Sequence, residues 1–250
     1  MLSHSQTSLL TSLQVKKYRY EHRRFLVEGE KMVAELLSQH RIATMGVYGL
    51  ADWAIANARL LEPYQAVFQE IKASELQKIS TLKTPNKVLA MAVLPAAPPA
   101  IPPLDQLSFY LDGLQDPGNM GTILRIADWF GVRHVFCSPD TVDAYSPKVV
   151  QASMGAFLRL SLCETPFETL QANAPGLPVL GAVLGGNNVF ESKLPKNGLL
   201  VIGNEGRGIR PALEPALTHR LTIPRHPDGG AESLNASVAT GILTALLRKP

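Results

Sequence analysis

The stretch from Leu111 to Val132, LDGLQDPGNMGTILRIADWFGV, opens like a nucleotide-binding turn and then sets an arginine, Arg125, among apolar residues. Pro117 and Gly118 favour a turn, and Asn119 can cap a helix predicted to begin near Met120. In that helix Ile123, Ile126, Ala127 and Phe130 form a packing stripe. Arg125 shares its face with Gly118, Gly121 and Thr122, all small. An isolated buried guanidinium is costly, so it needs partners or a task. Small neighbours leave it room to reach a phosphate or a ribose at the loop. The plain alternative is a surface arginine on an amphipathic helix.

Two further loops carry similar chemistry. LLVIGNEGRGIRP, Leu199 to Pro211, runs an apolar strand into Gly203, Gly206 and Gly208, with Glu205 among them and Pro211 opening a helix. It is not a Walker loop, because the lysine and the following Ser/Thr are missing. It is not the dinucleotide fingerprint either, because the glycine spacing is wrong. The third loop, IPRHPDGGAESLNASVATG, places Ser233 and Asn235 before the last helix. Capping accounts for one of those two polar residues and not readily for both. His226 and Asp228 could form a catalytic pair, but with two prolines nearby they read better as a solvated loop.

Elements must hold these loops in place. The clearest boundary is MAVLPAAPPAIPPLDQ, Met91 to Gln106, with five prolines between Pro95 and Pro103. Proline at that density blocks helix and ladder alike and favours a stiff linker. We read residues 1–94 as a small α/β domain, 95–106 as a Pro-rich linker and 107–250 as a larger α/β domain. In the first part a helix is predicted over Glu30 to Gln39 and another over Asp52 to Leu60. A third is capped by Ser74 with Gln77 three residues on. Strands are predicted at Met45 to Tyr48, Ala66 to Phe68 and Val88 to Val93.

In the second part strands are predicted at Ser108 to Leu111, His134 to Cys137, Val179 to Leu184, Leu199 to Ile202 and Leu221 to Ile223. Several are apolar throughout, as expected for a parallel sheet covered on both faces. The chain closes on a helix from about Asn235 to Arg248. In open α/β sheets ligands bind beyond the carboxyl ends of strands, which is where all three loops fall.

The 250 residues are 46% hydrophobic and 18% charged, enough for real cores and short of a disordered composition. Net charge is +3, weak evidence for nucleic acid by itself, but Lys16, Lys17, Arg19, Arg23 and Arg24 crowd one short stretch. That cluster reads as a phosphate-contacting surface or as a solvated helix face. Two cysteines, Cys137 and Cys163, form neither a disulfide framework nor a metal set, and no metal is expected. No apolar signal core and no membrane-length run is found, so the expectation is a cytoplasmic protein.

The three loops together resemble the signature motifs of the SpoU (TrmH-type) RNA ribose 2′-O-methyltransferases of the SPOUT superfamily. Asn119 with Arg125, Gly203-Asn204-Glu205-Gly206 and Ser233-Leu234-Asn235 occur in the family order, from about Leu107 to the C-terminus. KYRYEHRRFLVEGEK, Lys17 to Lys31, is similar to the start of the RNA-binding domain often fused to these enzymes. The resemblance implies an α/β fold, with a C-terminal parallel-sheet SPOUT domain threaded into a deep trefoil knot. A small α/β RNA-binding domain would precede it.

The resemblance also implies S-adenosylmethionine as cofactor, held by Leu184, Gly185, Gly203, Asn204, Gly206, Ile223 and Leu234. It implies a homodimer with the active site near the subunit interface. Asn119, Arg125, Glu205, Ser233 and Asn235 would be the catalytic set. Arg125 would bind phosphate and ribose and stabilise the developing alkoxide, the other four orienting it and the ribose. The RHPDGGAE loop is a residue or two longer than in many relatives, and Ala236 replaces a commoner valine.

The implied function is S-adenosylmethionine-dependent methylation of a ribose 2′-hydroxyl in structured RNA, with rRNA as first choice of partner. A tRNA ribose methyltransferase, or a non-catalytic RNA-binding or ribosome-assembly protein keeping the fold, are the alternatives. Retention of all five polar residues argues against the latter. A nicotinamide-dependent oxidoreductase ranks last, since the glycine spacing it needs is missing.

Overall fold

The computed structural model describes residues 1–249. The chain forms two compact units, one of Met1–Ala96 with Tyr145–Leu158, the other of Ala97–Ala144 with the chain from Arg159 onward.

The first unit opens with α1 (His4–Ser12) and α2 (Lys16–His22). There follow β1 (Arg24–Glu28), α3 (Glu30–Gln39), β2 (Thr44–Gly49), α4 (Ala51–Ala56), α5 (Ala58–Leu61), β3 (Phe68–Glu70), α6 (Ala73–Ile79) and β4 (Val88–Val93). Its sheet has the order β1-β4-β2-β3, with β4 antiparallel to both neighbours and β3 parallel to β2. The helical spacing in α3 turns Met32, Val33, Leu36 and Leu37 inward, and all four are buried.

Three local expectations need correction here. The helix expected over 52–60 breaks at Asn57, whose side-chain amide donates to the Trp53 carbonyl at 2.9 Å and so competes with continued helix. The strand expected over 66–68 lies at Phe68–Glu70. The cap of α6 comes from Glu75, which accepts the Lys72 amide at 2.9 Å, two residues before the expected Ser74–Gln77 pairing.

The second unit contains β5 (Leu107–Leu111), α7 (Pro117–Trp129) and β6 (His134–Cys137). After α8 (Pro147–Ser153), which belongs to the first unit, come β7 (Ser161–Glu164), α9 (Phe167–Asn173), β8 (Val179–Asn188), β9 (Gly198–Ile202), β10 (His219–Thr222) and α10 (Ala236–Leu247). The six strands run in the order β10-β8-β9-β5-β6-β7, and every neighbouring pair is parallel. β5 and β9 are buried along their whole length, as their unbroken apolar runs require. β7 was not anticipated; four residues, SLCE, give too short a pattern to read.

The proline-rich stretch has no regular structure, yet from Pro98 it is tied to the second unit. Cys163 donates its thiol to the Pro98 carbonyl, and Asn173 donates to the Ala100 carbonyl at 2.8 Å. Within the first unit, Phe25 packs edge-on against Phe157, ring centres 5.8 Å apart, and against Tyr145 at 5.0 Å. These contacts draw Tyr145–Leu158, read from sequence as part of the second domain, onto β1.

The irregularity that matters most lies in β8. Gly181 pairs with Arg220, but the next residue of β10, Leu221, pairs with Asn187. The five intervening residues arch out of the ladder, anchored by the Thr222 hydroxyl, which donates to the Val183 carbonyl and accepts the Gly186 amide, each at 2.6 Å. The expected strand end at Leu184 is therefore the middle of an arch within a strand that continues to Asn188.

Candidate functional site

The three glycine- and polar-rich loops meet beyond the carboxyl ends of β5, β8, β9 and β10. The first feeds α7, which starts at Pro117 and is capped by Asp116, whose carboxylate accepts the Asn119 amide at 2.7 Å. Proline preset for the first helical position moves the cap to the preceding residue, correcting the expectation that Asn119 would cap. The Asn119 side chain is thereby free for other work. It donates to Glu205 Oε1 at 3.1 Å and accepts from Asn235 Nδ2 at 2.8 Å. Asn235 caps α10, its Oδ1 accepting the Ser237 amide at 2.9 Å and the Ser237 hydroxyl at 2.6 Å.

Glu205 anchors the other end of this chain. Its carboxylate also accepts the backbone amides of Asp116 at 3.0 Å and Gln115 at 3.2 Å. Partial burial alone would raise its pKa, but the hydrogen bonds from Asn119 and from the backbone amides outweigh burial and hold it below the ordinary glutamate value. The site therefore contains a carboxylate kept ionised.

The glycine loop doubles back on itself. Asn204 and Gly208 exchange both backbone hydrogen bonds at 2.9 Å, and a Cβ on Gly203 would lie 2.1 Å from the carbonyl carbon of Gly208. Only glycine fits there. Asn204 ties this hairpin to the first loop by donating to the Gly113 carbonyl at 2.8 Å, while its Oδ1 accepts the amides of Gly206 and Arg207.

Beside the hairpin opens a cleft of about 390 Å³. Leu184, Gly203, Asn204, Gly206, Ile223 and Leu234 line it, as does Ser233; Gly185 does not. Glycines and apolar residues make up most of its lining, which suits an adenosine ring system. The residues present fit the cofactor that the sequence resemblance implies.

A second cluster escaped the sequence reading. Asp112, buried at the end of β5, accepts both the Arg210 backbone amide at 2.8 Å and the Arg210 Nε. The same guanidinium reaches Asp140 at 2.9 Å, and Asp140 also accepts the Ser138 hydroxyl at 2.6 Å. Ser138 and Arg210 together hold the Asp140 carboxyl below its usual range. The far end of the glycine loop is thus bolted to the ends of β5 and β6. An apolar strand ending in Asp, LSFYLD, was the available signal, but its partner lies 98 residues away.

Not every expected residue joins the network. Arg125 is exposed on α7, so the premise of a buried guanidinium is corrected. Among the described residues no hydrogen bond links Arg125 or Ser233 to the Asn119–Glu205–Asn235 chain. His226 and Asp228 sit 3.6 Å apart on an exposed loop, as a solvated pair. In the basic cluster Arg19 is only 2% exposed and donates to the Leu13 carbonyl at 2.8 Å. It braces the turn between α1 and α2 and cannot reach a phosphate. Lys16, Lys17 and Arg23 are exposed, and Arg24 is half-buried beside the Met91 sulfur. Lys16 and Lys17 lie over the rings of Tyr20 and Tyr18, at 5.4 and 5.6 Å from the centroids. Arg23 is also held by the Leu94 and Pro95 carbonyls.

Comparison with known proteins gives a consistent result. Residues 106–245 match the SpoU rRNA Methylase family, and residues 6–90 match the MRM3-like substrate binding domain. The chain is 29% identical over 242 residues to the 23S rRNA (guanosine(2553)-2′-O)-methyltransferase RlmP of Bacillus subtilis, covering 94% of this chain and 93% of that one. A TrmH-family structure from Porphyromonas gingivalis superposes with a TM-score of 0.89 at 42% identity, covering 100% of this chain and 99% of the other. The SpoU methyltransferase AviRb of Streptomyces viridochromogenes, in complex with the cofactor AdoMet, shares the fold with a TM-score of 0.83 at 24% identity, covering 99% and 98%. Among the described residues no helix is long and apolar enough to cross a membrane, and no three His, Cys, Asp or Glu side chains gather as a metal site.

Proposed function

Because the chain belongs to the SpoU rRNA methylase family, we propose that it transfers the methyl group of S-adenosylmethionine to a ribose 2′-hydroxyl of ribosomal RNA. The observation that carries this reading is the hydrogen-bonded chain Glu205–Asn119–Asn235, which joins three loops far apart in sequence beside the 390 Å³ cleft. The named activity of the Bacillus subtilis relative supports both the ribose oxygen and the rRNA substrate.

S-adenosylmethionine supplies, when bound, a methyl group on a sulfonium sulfur, open to in-line attack by the ribose oxygen. The chain's own residues do the rest. Backbone of the Gly203–Gly208 hairpin and side chains of Leu184, Ile223 and Leu234 hold the cofactor, with Gly185 on the arch that carries Leu184. Ionised Glu205 and the α10 amides fix the two asparagine side chains from opposite ends, so that with Ser233 they orient Arg125 and the ribose. A guanidinium with a pKa above about 12 is a poor base. Arg125 therefore binds phosphate and ribose and stabilises the 2′-oxygen as its proton passes to the RNA phosphate or to water and the demethylated cofactor leaves. A 2′-hydroxyl also distinguishes RNA from DNA.

The first unit would bind RNA through Lys16, Lys17, Arg23 and Arg24. We further propose a cytoplasmic homodimer built on the outer face of α7 and α10. Trp129 of α7 is 84% exposed, an apolar surface that a second copy would cover. The same contact would desolvate Arg125 and strengthen its hold on phosphate. A trefoil knot is part of this reading.

The test is to incubate purified protein with labelled S-adenosylmethionine and RNA from a strain lacking the gene, then digest to nucleosides. Label in a 2′-O-methylated nucleoside is expected. Label on a base would overturn the ribose assignment, and no label with either naked rRNA or ribosomal subunits would overturn the enzyme reading.

A further inference from the structure

The cleft described above is lined mostly by glycines and apolar residues, and four charged residues line it as well: Glu205, Arg207, Glu214 and Arg220. Glu205 is already engaged by two backbone amides and Asn119. Arg207 offers a single charge on an exposed hairpin tip. Glu214 and Arg220 are different. They form an ion pair, Nη1 to Oε2 at 2.8 Å, with side chains 44% and 42% exposed.

S-adenosylmethionine is not only an adenosine and a sulfonium. Its far end is an α-amino acid, with an ammonium and a carboxylate on one carbon. A lining of glycines and apolar residues cannot match that end, since each of its charges loses water on binding and needs a partner in return. A cation and an anion side by side on the cleft wall meet the requirement. Resting on the reading that the cleft takes S-adenosylmethionine, we infer that Arg220 and Glu214 form the subsite for its amino-acid end, Arg220 taking the carboxylate and Glu214 the ammonium.

Two features fit this role. In the free protein the two side chains satisfy each other; an exposed pair is worth little, so exchanging it for ligand contacts costs little. Their backbones are also rigidly placed. Arg220 is the last residue of β10 in register with β8 before the arch, and Gly186 packs so closely that a Cβ there would lie 2.6 Å from the Arg220 carbonyl oxygen. Glu214 lies in the 3₁₀ turn Pro211–Ala216, immediately after the Arg210 bolt. A planar guanidinium gives directional recognition of a carboxylate that lysine would not.

The test compares two ligands by calorimetric titration of the full chain. S-adenosylmethionine carries the amino-acid end; 5′-deoxy-5′-methylthioadenosine keeps the adenosine and sulfur and lacks it. The wild type is expected to bind the first more tightly. Arg220→Gln and Glu214→Gln should each weaken S-adenosylmethionine about tenfold, while methylthioadenosine affinity stays within about twofold. Equal loss for both ligands would make the pair structural and overturn the inference, as would variants that bind S-adenosylmethionine like the wild type. A wild type that binds neither ligand would instead overturn the cofactor reading of the cleft. Should Arg220→Gln fail to fold, Glu214→Gln on the solvent-facing turn decides alone.

Discussion

Glu205 sets the orientation of the Asn119 side chain. An ionised carboxylate accepts and cannot donate, so Asn119 must turn its amide nitrogen toward it and its oxygen toward Asn235. From the other end, the α10 amides require the Asn235 oxygen, so both asparagines have one permitted orientation. Glu205→Gln would set an NH₂ group against backbone N–H donors, and methyl transfer is expected to fall about a hundredfold in single-turnover assays. The pH dependence follows from the lowered carboxyl. Its stabilisation is present above the ordinary glutamate pKa of about 4.3 and is lost as pH falls through the depressed native value. Urea unfolding between pH 7 and pH 3 should therefore show the wild type losing stability in acid more steeply than Glu205→Gln. Arg125→Ala should abolish methyl transfer and leave cofactor affinity near normal, because the exposed guanidinium supports no hydrogen bond of the cleft; a lost affinity measured by calorimetry would make Arg125 structural.

At the scale of elements, the glycine loop is fixed at both ends. Asn204 holds the start to the first loop, and the Asp112–Arg210–Asp140 cluster holds the finish. Asp112→Ala would strand a backbone amide and one side of a guanidinium beside a buried position, and is expected to cost about 2 kcal/mol in denaturant unfolding. Gly203→Ala cannot be accommodated, because the hairpin backbone occupies the space a Cβ needs; cofactor binding should be lost while circular dichroism still reports both sheets. The sequence made the three loops legible because their polar residues lie close to strand ends recognisable as apolar runs. It concealed this second cluster because Asp112, Asp140 and Arg210 are ordinary charged residues until the sheet order brings their strands together. The arch in β8 was hidden for a related reason: VLGAVLGGNN reads as continuous strand, and only the register with β10 reveals the departure.

At the scale of the whole chain, the α/β alternation was legible from periodicity, and the assignment of Tyr145–Leu158 was not. Its aromatic partner Phe25 lies more than a hundred positions earlier, and no local pattern marks such a pairing. The basic stretch was legible as charge but not as burial, since helix spacing alone did not show that Arg19 turns inward. RNA affinity should fall steeply with salt, and neutralising Lys16, Lys17, Arg23 and Arg24 together should flatten that slope by about one unit for each phosphate contact removed. Arg19→Ala should instead lower the unfolding midpoint, by breaking the brace to Leu13. The order of the elements has one more consequence. Among the described residues every strand is complete by Thr222, yet Ser233, Leu234, Asn235 and α10 follow them. A chain cut off after Thr222 would carry every one of these ladders and lack the third loop of the proposed site. Copies cut off after Thr222 are thus expected to transfer no methyl group, and activity should require that Ser233–Asn235 and α10 have been translated.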